Sequence, residues 1–203
     1  MHPIVNIAVR AARRGANMLL RNMDHINDLE ITAKGSRDLV SEVDRAAERE
    51  IIEVIQHVYP QHSILAEESG AQPGDDYEWI IDPLDGTFNY LHGIPHFCVS
   101  IGVRIKGRVE HGVVYDPVRE ELFSASRGEG AMLNNRRIRA SRRSHMDDAL
   151  LGTGFAAASE HFDAFQCIHD QFNRASTLRR SGSAALDLAY VAAGRYDGFF
   201  ELA

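Results

Sequence analysis

The residue pattern with the clearest chemical meaning is Asp82-Pro83-Leu84-Asp85, which follows an apolar run. Pro83 has no N–H and a fixed φ, so we predict that a strand ends at Asp82 and that the chain turns there. The two carboxylates can then converge with the Leu84 carbonyl between them, and three hard oxygen ligands suit Mg²⁺ better than zinc. An ordinary β-turn has the same residue types, and the motif alone does not decide between the two interpretations.

Gly86 and Thr87 continue this motif. Glycine lets the backbone come close to a ligand, and the N–H groups of both residues would open the short helix that we expect next. Free N–H groups at the start of a helix bind phosphate. The motif therefore predicts a phosphate site beside a cation site.

A second acidic segment, Ala66-Glu67-Glu68-Ser69-Gly70, ends another short apolar run. A glutamate pair in a loop is usually only solvated. If the two strands are neighbours, however, Glu67 lies beside Asp82 and Asp85. Oxygen ligands that bridge cations roughly 3.5–4 Å apart are those of a two-metal phosphatase.

A third segment, from Lys34 to Asp44, is rich in turn-forming residues and leads into a helix. Asp44 has two open interpretations. It can cap the N-terminus of that helix. It can also hydrogen-bond the Thr87 hydroxyl, so that the pair orients an attacking water.

Helices and short strands must position these residues. Apolar residues at helical spacing predict helices at 3–22, 44–58, around Phe162–Phe172 and at 183–193. Short apolar or alternating runs predict strands at 63–66, 79–81, 99–105, 109–115, 121–125, 131–138, 149–153 and 197–202. A polar stretch predicts a boundary between an α+β domain at 1–145, which holds the metal and phosphate site, and the start of an α/β domain at 146–203.

The composition is that of a globular protein: the 203 residues are 44% hydrophobic and 25% charged, with a formal net charge of −7. No apolar run approaches the roughly 20 residues that span a bilayer, so we expect no membrane association. Two cysteines without paired spacing disfavour a disulfide scaffold or a zinc centre, and we expect a cytoplasmic protein. Nine acidic residues and no lysine or arginine occur between Glu50 and Val103. These carboxylates are either spread over solvent or share a cation.

In this order and spacing, the 34–44 stretch, the Glu-Glu-Ser at 67–69 and the motif at 82–87 resemble the lithium-sensitive inositol monophosphatases. Longer segments, IKGRVEHGVVYDPVREELF among them, are most similar to the bacterial SuhB-type members, and the resemblance covers essentially the whole chain. It implies a layered α-β-α-β-α sandwich and Mg²⁺-dependent hydrolysis of myo-inositol monophosphates. It also implies a homodimer. Relatives that act on fructose bisphosphate or nucleotide 3′-phosphates remain alternatives within the enzyme class.

The resemblance further implies roles for individual residues. The first Mg²⁺ would be held by Glu67, Asp82 and the Leu84 carbonyl, and the second would be reached by Asp82 and Asp85. The catalytic set would be Thr87, Asp44 and Glu67, with Lys34 nearby. The substrate would be bound by Gly86, Thr87, Asp85, Gly182, Ser183, Ala184 and Glu201.

One feature departs from the family pattern. The family places a further metal-binding aspartate in a Trp-Asp pair after the strand that reaches Glu201, whereas Trp79 is the only tryptophan here and the sequence ends at Ala203. The resemblance therefore implies a C-terminally shortened fold, with an incomplete second domain and an incomplete second metal site.

A second class of function is open. Five arginines lie between 134 and 143 and two more at 179–180. They form either a solvated face or a docking surface for RNA or a protein. SuhB-type proteins are implicated in ribosomal RNA transcription antitermination with Nus factors and RNA polymerase, and the arginine-rich stretch suits that role. This alternative function is compatible with catalysis.

Overall fold

The computed structural model of the chain describes residues 2–23, 31–34, 38–155 and 177–202, with the backbone alone at 31–34, 38–41, 155 and 202. Its helices are α1 (Pro3–Asn22), α2 (Glu42–Val58), α3 (Thr87–Leu91) and α4 (Ala184–Ala192), with a short 3₁₀ turn at Met146–Asp148. Within these residues, no helix has the length and apolar character needed to cross a membrane.

In the described ranges, the strands form two larger sheets and one separate antiparallel pair. They are β1 (Ile31–Lys34), β2 (Asp38–Ser41), β3 (Ser63–Ala66), β4 (Gly70–Gln72), β5 (Tyr77–Asp85), β6 (Cys98–Ile105), β7 (Arg108–Asp116), β8 (Glu121–Ser126), β9 (Gly130–Leu133), β10 (Arg136–Arg137), β11 (Leu150–Phe155), β12 (Thr177–Arg179) and β13 (Gly198–Leu202). As far as the chain is described, the large sheet has eight strands in the order β10-β9-β8-β7-β6-β5-β3-β4. The small sheet has the parallel order β12-β11-β13, and β1 pairs with β2.

Helices α1 and α2 pack against each other and against the large sheet. Proline at the first helical position is pre-organised for α1, and its alanines form a fully buried stripe. A Cβ on Gly15 would lie 2.6 Å from Cγ1 of Ile51, so the two helices approach too closely there for a side chain. Small residues on α1 therefore set the spacing of this layer.

Helix α4 lies between the two sheets. Leu186 is fully buried and packs in one cluster with Cys98 of β6 and Phe123 of β8, and α4 also contacts β11 and β13. The described layers are thus α1 and α2, the large sheet, α4 and the small sheet, which confirms the predicted layered α/β sandwich. The helix predicted around Phe162–Phe172 lies outside the described residues.

The path of β5 corrects one prediction. The strand does not end at Asp82 but continues to Asp85, with Asp82 opposite Ser100 and Asp85 opposite Cys98. Two residues of β5 therefore face one of β6, which is a β-bulge. The missing N–H of Pro83 is tolerated because a bulge interrupts the ladder of hydrogen bonds.

Two further predictions were wrong in detail. The expected strand at 131–138 is split into β9 and β10 by Asn134 and Asn135, whose φ values are 47° and 64°. Two consecutive positive φ values are typical of a type I′ hairpin turn, which asparagine favours. In addition, α2 begins at Glu42, so Asp44 lies in its first turn and is not its N-cap. The division at 145/146 into two domains stays a prediction.

Candidate functional site

The candidate site lies at the bulge of β5. The backbone N–H of Leu84 donates to Oδ1 of Asp82 at 3.1 Å, which folds the carboxylate back over the bulge. The Leu84 side chain is buried, and its carbonyl accepts the Thr87 hydroxyl at 2.8 Å. The bulge thus gathers a carboxylate, a carbonyl and a hydroxyl within six residues.

Parallel pairing places Glu67 beside this bulge. Strand β3 runs parallel to β5 with Ala66 opposite Ile81. The N–H of Glu67 donates to the Ile81 carbonyl at 3.1 Å, directly before Asp82. The two acidic segments therefore end at the same edge of the sheet, as the sequence predicts.

The carboxylates share one electrostatic environment. Burial, together with the charges of Asp85 and Glu67, raises the pKa of Asp82 to about 9, while the Leu84 N–H opposes the shift. Asp44 of α2 is 2% exposed and adds a further negative charge. Because these charges raise the pKa of one buried carboxyl, a cation shared among them would stabilise the ionised carboxylates.

The donor chemistry fits Mg²⁺, because carboxylate and carbonyl oxygens are its usual protein ligands. Among the described residues, no three His, Cys, Asp or Glu side chains already form a group able to hold an ion. Two of the expected donors have other partners: Leu84 accepts from Thr87, and Asp85 accepts from α4.

Asp85 connects the bulge to the start of α4. Its Oδ2 accepts the Ser183 hydroxyl at 2.5 Å and the Ala185 N–H at 2.8 Å. Ser183 occupies the N-cap position of α4 but gives no side-chain bond to its own helix. A carboxylate from another element therefore satisfies the helix start, where negative charge is favourable. This contact brings the predicted segment 182–184 to the site.

Gly86 and Thr87 form the turn that follows the bulge. Gly86 is the N-cap of α3 with a φ of 96°, and a Cβ there would lie 3.0 Å from the His96 carbonyl. Both the conformation and the close approach require glycine. The Thr87 hydroxyl is bonded to Leu84, so its expected bond to Asp44 stays a prediction.

The comparisons decide the family. The sequence model of the inositol monophosphatase family matches residues 1–203. The chain belongs to the inositol monophosphatase family. Members of the family are generally metal-dependent.

The chain is also similar to individual proteins of this family. The chain is 52% identical over 206 residues to the Nus factor SuhB of Escherichia coli K12. This match covers all of the present chain and 77% of the relative. The SuhB structure from Bartonella henselae has a TM-score of 0.96 and 42% identity, over 98% of this chain and 78% of that one. The inositol monophosphatase structure from Anabaena has a TM-score of 0.83 and 41% identity, over 98% of this chain and 74% of that one.

In this inositol monophosphatase fold, two other predicted residues belong to different strands from the bulge, Glu201 to β13 and Lys34 to β1. Glu201 lies on β13 opposite Gly154, and its carboxylate oxygen is 2.6 Å from where a Gly154 Cβ would stand. The side chain of Lys34 is outside the described residues. The role of each stays a prediction.

Sequence reasoning missed three buried polar residues near the candidate site. Asn89 donates to the carbonyls of His96 and Ser181, at 2.8 and 2.9 Å. Asp187 is 1% exposed, and burial raises its pKa to about 6. Glu48 is 2% exposed on α2. Its position one turn after Asp44, on an otherwise apolar helix face, was the available signal.

Proposed function

We propose that this chain is a metal-dependent phosphomonoesterase that hydrolyses myo-inositol monophosphates, with Mg²⁺ as its cofactor and Li⁺ as an inhibitor. The observation that carries the proposal is the gathering of Asp82, Asp85, Glu67 and Asp44 around one bulge beside the Gly86 turn. Such a site offers oxygen ligands to divalent cations and backbone N–H groups to a phosphate. The family membership supports the same chemistry.

Each residue has a stated role in this proposal. Glu67, Asp82 and the Leu84 carbonyl hold one cation, and Asp82 with Asp85 holds part of a second. When bound, these cations supply positive charge to the attacking and leaving oxygens. The substrate contacts are assigned to Gly86, Thr87, Asp85, Gly182, Ser183, Ala184 and Glu201.

The chain's own proton chemistry is assigned to Thr87 and Asp44. In the structure the Thr87 hydroxyl donates to the Leu84 carbonyl. Once free of Leu84, the hydroxyl would donate its proton to Asp44 and take up a proton of the attacking water, so that the Asp44 carboxylate is the final proton acceptor. A positioned base of this kind contributes roughly 10²–10⁴-fold to the rate.

The test is phosphate release from inositol 1-phosphate by the wild type and by Thr87→Ala and Thr87→Ser. We expect kcat to fall by roughly 10²–10⁴-fold in Thr87→Ala and to be largely retained in Thr87→Ser. The Mg²⁺ affinity, measured by calorimetry, is expected to change little in both. An unchanged kcat in Thr87→Ala would remove Thr87 and Asp44 from the mechanism.

A second function, transcription antitermination through RNA polymerase and Nus factors in the cytoplasm, is favoured by the relatives named Nus factor SuhB. Arg136, Arg139 and Arg142 are exposed on and after β10 and offer a basic surface to a partner. Retention of RNA polymerase and Nus factors by the wild type and by Thr87→Ala, with loss in an Arg136→Glu/Arg139→Glu variant, would support it. Equal retention by all three would exclude this surface.

Homodimer formation stays part of the proposal as well. It rests on the family resemblance, and the molar mass in solution, measured by light scattering, tests it. A monomer at all concentrations would contradict it.

A further inference from the structure

Glu48 is a buried carboxylate bound to the turn that carries Glu67. Its Oε2 accepts the backbone N–H of Glu68 at 2.7 Å, and its Oε1 accepts the N–H of Ser69 at 2.9 Å. The side chain is only 2% exposed. One carboxylate thus binds two consecutive backbone N–H groups, and charge-assisted bonds of this kind are stronger than neutral ones.

The turn is held from its other side by β5. The N–H of Glu67 donates to the Ile81 carbonyl at 3.1 Å. Three consecutive amides, at 67, 68 and 69, are therefore fixed, one by the strand that leads into Asp82 and two by Glu48. The backbone that carries the Glu67 side chain cannot shift relative to Asp82 without breaking these bonds.

The 67–69 turn does not need a buried carboxylate in order to close. Strands β3 and β4 already pair up to Ala66 and Gly70, and water can satisfy the amides of an exposed turn. Burial of a charged group is strongly unfavourable unless hydrogen bonds offset the loss of its hydration. Closing the turn therefore does not explain why a glutamate is buried here. Fixing the position of the 67–69 backbone is the better explanation.

Helix α2 presents two carboxylates one turn apart to the same region. The negative charge of Asp44 helps to raise the pKa of Asp82, and Glu48 accepts hydrogen bonds from the turn that carries Glu67. Both lie on the buried side of α2 with Ala47 and Ile51. One rigid helix therefore contacts the turn of Glu67 and places a charge near Asp82, so it fixes the position of one acidic segment relative to the other.

We infer that Glu48 is a positioning residue that holds the 67–69 turn so that Glu67 and Asp82 can bind one divalent cation. The inference rests on the proposed function, because that function assigns Glu67 and Asp82 to a cation. Groups that orient metal ligands typically change metal affinity by about 10–100-fold when they are replaced.

The experiment uses Glu48→Gln, which keeps the shape of the side chain but places an NH₂ group against one of the two backbone N–H donors. Mg²⁺ binding is measured by calorimetry on the metal-free protein, and the Mg²⁺ dependence of phosphate release is measured in parallel. We expect Mg²⁺ affinity to fall by about 10–100-fold, with kcat close to wild type at saturating Mg²⁺ and an unchanged KM. A purely structural role would lower Tm without shifting the Mg²⁺ dependence.

The matched control is Glu53→Gln on the exposed side of the same helix, where Glu53 pairs with Arg14 at 2.9 Å and is 67% exposed. This variant should keep the wild-type Mg²⁺ affinity. A double-mutant cycle with Glu67→Gln tests the route of action. If Glu48 acts through Glu67, the double variant loses no more Mg²⁺ affinity than Glu67→Gln alone; additive losses would overturn the inference.

Failure of the inference and failure of the proposed function are distinguishable. If the wild type binds Mg²⁺ and Glu67→Gln weakens that binding while Glu48→Gln does not, the inference is wrong and the function stands. If the wild type binds no Mg²⁺, both are wrong. If Glu48→Gln does not fold, hydrogen exchange of the backbone amides in the wild type decides. Slow exchange at Glu68 and Ser69 supports the inference that Glu48 holds this turn, and rapid exchange overturns it.

Discussion

The carboxylate of Asp85 accepts the backbone N–H of Ala185 at 2.8 Å, although the two residues are 100 positions apart in the sequence. The same oxygen accepts the Ser183 hydroxyl. The bulge of the large sheet is therefore fastened to the first turn of α4, where the N–H groups of a helix favour negative charge. Together with the bond from Asn89 to the Ser181 carbonyl, this side chain holds the candidate substrate segment in place.

Replacement of Ser183 by alanine should destabilise the fold. Ser183 is 1% exposed, and its hydroxyl donates to a carboxylate. The loss of a buried hydrogen bond to a charged group costs roughly 1.5–3 kcal/mol. Urea unfolding measures the change, with the exposed Ser144→Ala as control. A difference from the control below about 0.5 kcal/mol would show that the Ala185 N–H alone secures Asp85.

Gly182→Ala should cost more stability than Gly107→Ala. Both glycines have positive φ, 87° and 80°, so alanine at either position adds backbone strain of about 1–2 kcal/mol. Only at Gly182 would the new Cβ also meet a buried side chain, with Nδ2 of Asn89 at 2.8 Å, whereas at Gly107 nothing lies within 4 Å.

Thermal unfolding of the two variants tests this prediction. We expect a lower Tm for Gly182→Ala, together with a raised KM in the phosphatase assay, because the 182–184 segment shifts. Equal Tm values would mean that Asn89 moves away at no cost, and the close packing of this segment would then not be a constraint.

The sequence predicts those features of the fold that depend on neighbouring residues, and it misses those that depend on contacts between distant segments. Helix α1 was predicted at its observed bounds because Pro3 and the apolar stripe are local signals. The Asn134-Asn135 turn also has a local signal, in its residue types, that the prediction of one strand overlooked. The bulge at Asp82 was missed because it depends on the pairing of β5 with β6.

The candidate site shows the same division. Glu67 and Asp82 were predicted as neighbours because both follow short apolar strands, and parallel pairing at Ala66 and Ile81 brings them together. The contact of Asp85 with α4 has no sequence signal, since its partners lie almost 100 residues away. Local patterns therefore identify the acidic segments, whereas only the tertiary fold shows what holds them.

Asp187→Asn should stabilise the protein above pH 6. Burial raises the pKa of Asp187 to about 6 from its ordinary value of 3.8, and the charges of Asp85 and Glu201 add to the shift. The unfolded chain therefore releases this proton at lower pH than the folded protein does. The resulting loss of stability develops as the pH rises between the two values and is constant above them.

Thermal unfolding of the wild type and Asp187→Asn from pH 4 to 8 measures this effect. The variant should have the higher Tm at pH 7–8, and the advantage should vanish near pH 4. The exposed Asp147→Asn serves as control. An advantage that does not depend on pH would show that the amide stabilises α4 by packing and not by removing a charge.

The last prediction concerns acid stability at the far end of β5. His62 accepts a hydrogen bond from Nε1 of Trp79 at 2.9 Å through its Nδ1, and its ring stacks on Tyr59 and Tyr77 at centroid distances of 4.5 and 4.6 Å. Burial lowers the pKa of His62, and Asp75 opposes the shift. Protonation would place two donors face to face, so the folded protein resists it.

The unfolded chain therefore binds this proton at higher pH than the folded protein does. Stability that is present above the ordinary pKa of histidine, about 6.5, is lost as the pH falls towards the lowered folded value. Because Trp79 is the only tryptophan, its fluorescence reports unfolding directly. We expect Tm to fall less steeply between pH 7.5 and 5 in His62→Gln than in the wild type, and the exposed His57→Gln to follow the wild type. Equal slopes in all three proteins would show that His62 does not titrate with unfolding and that other groups set the acid stability.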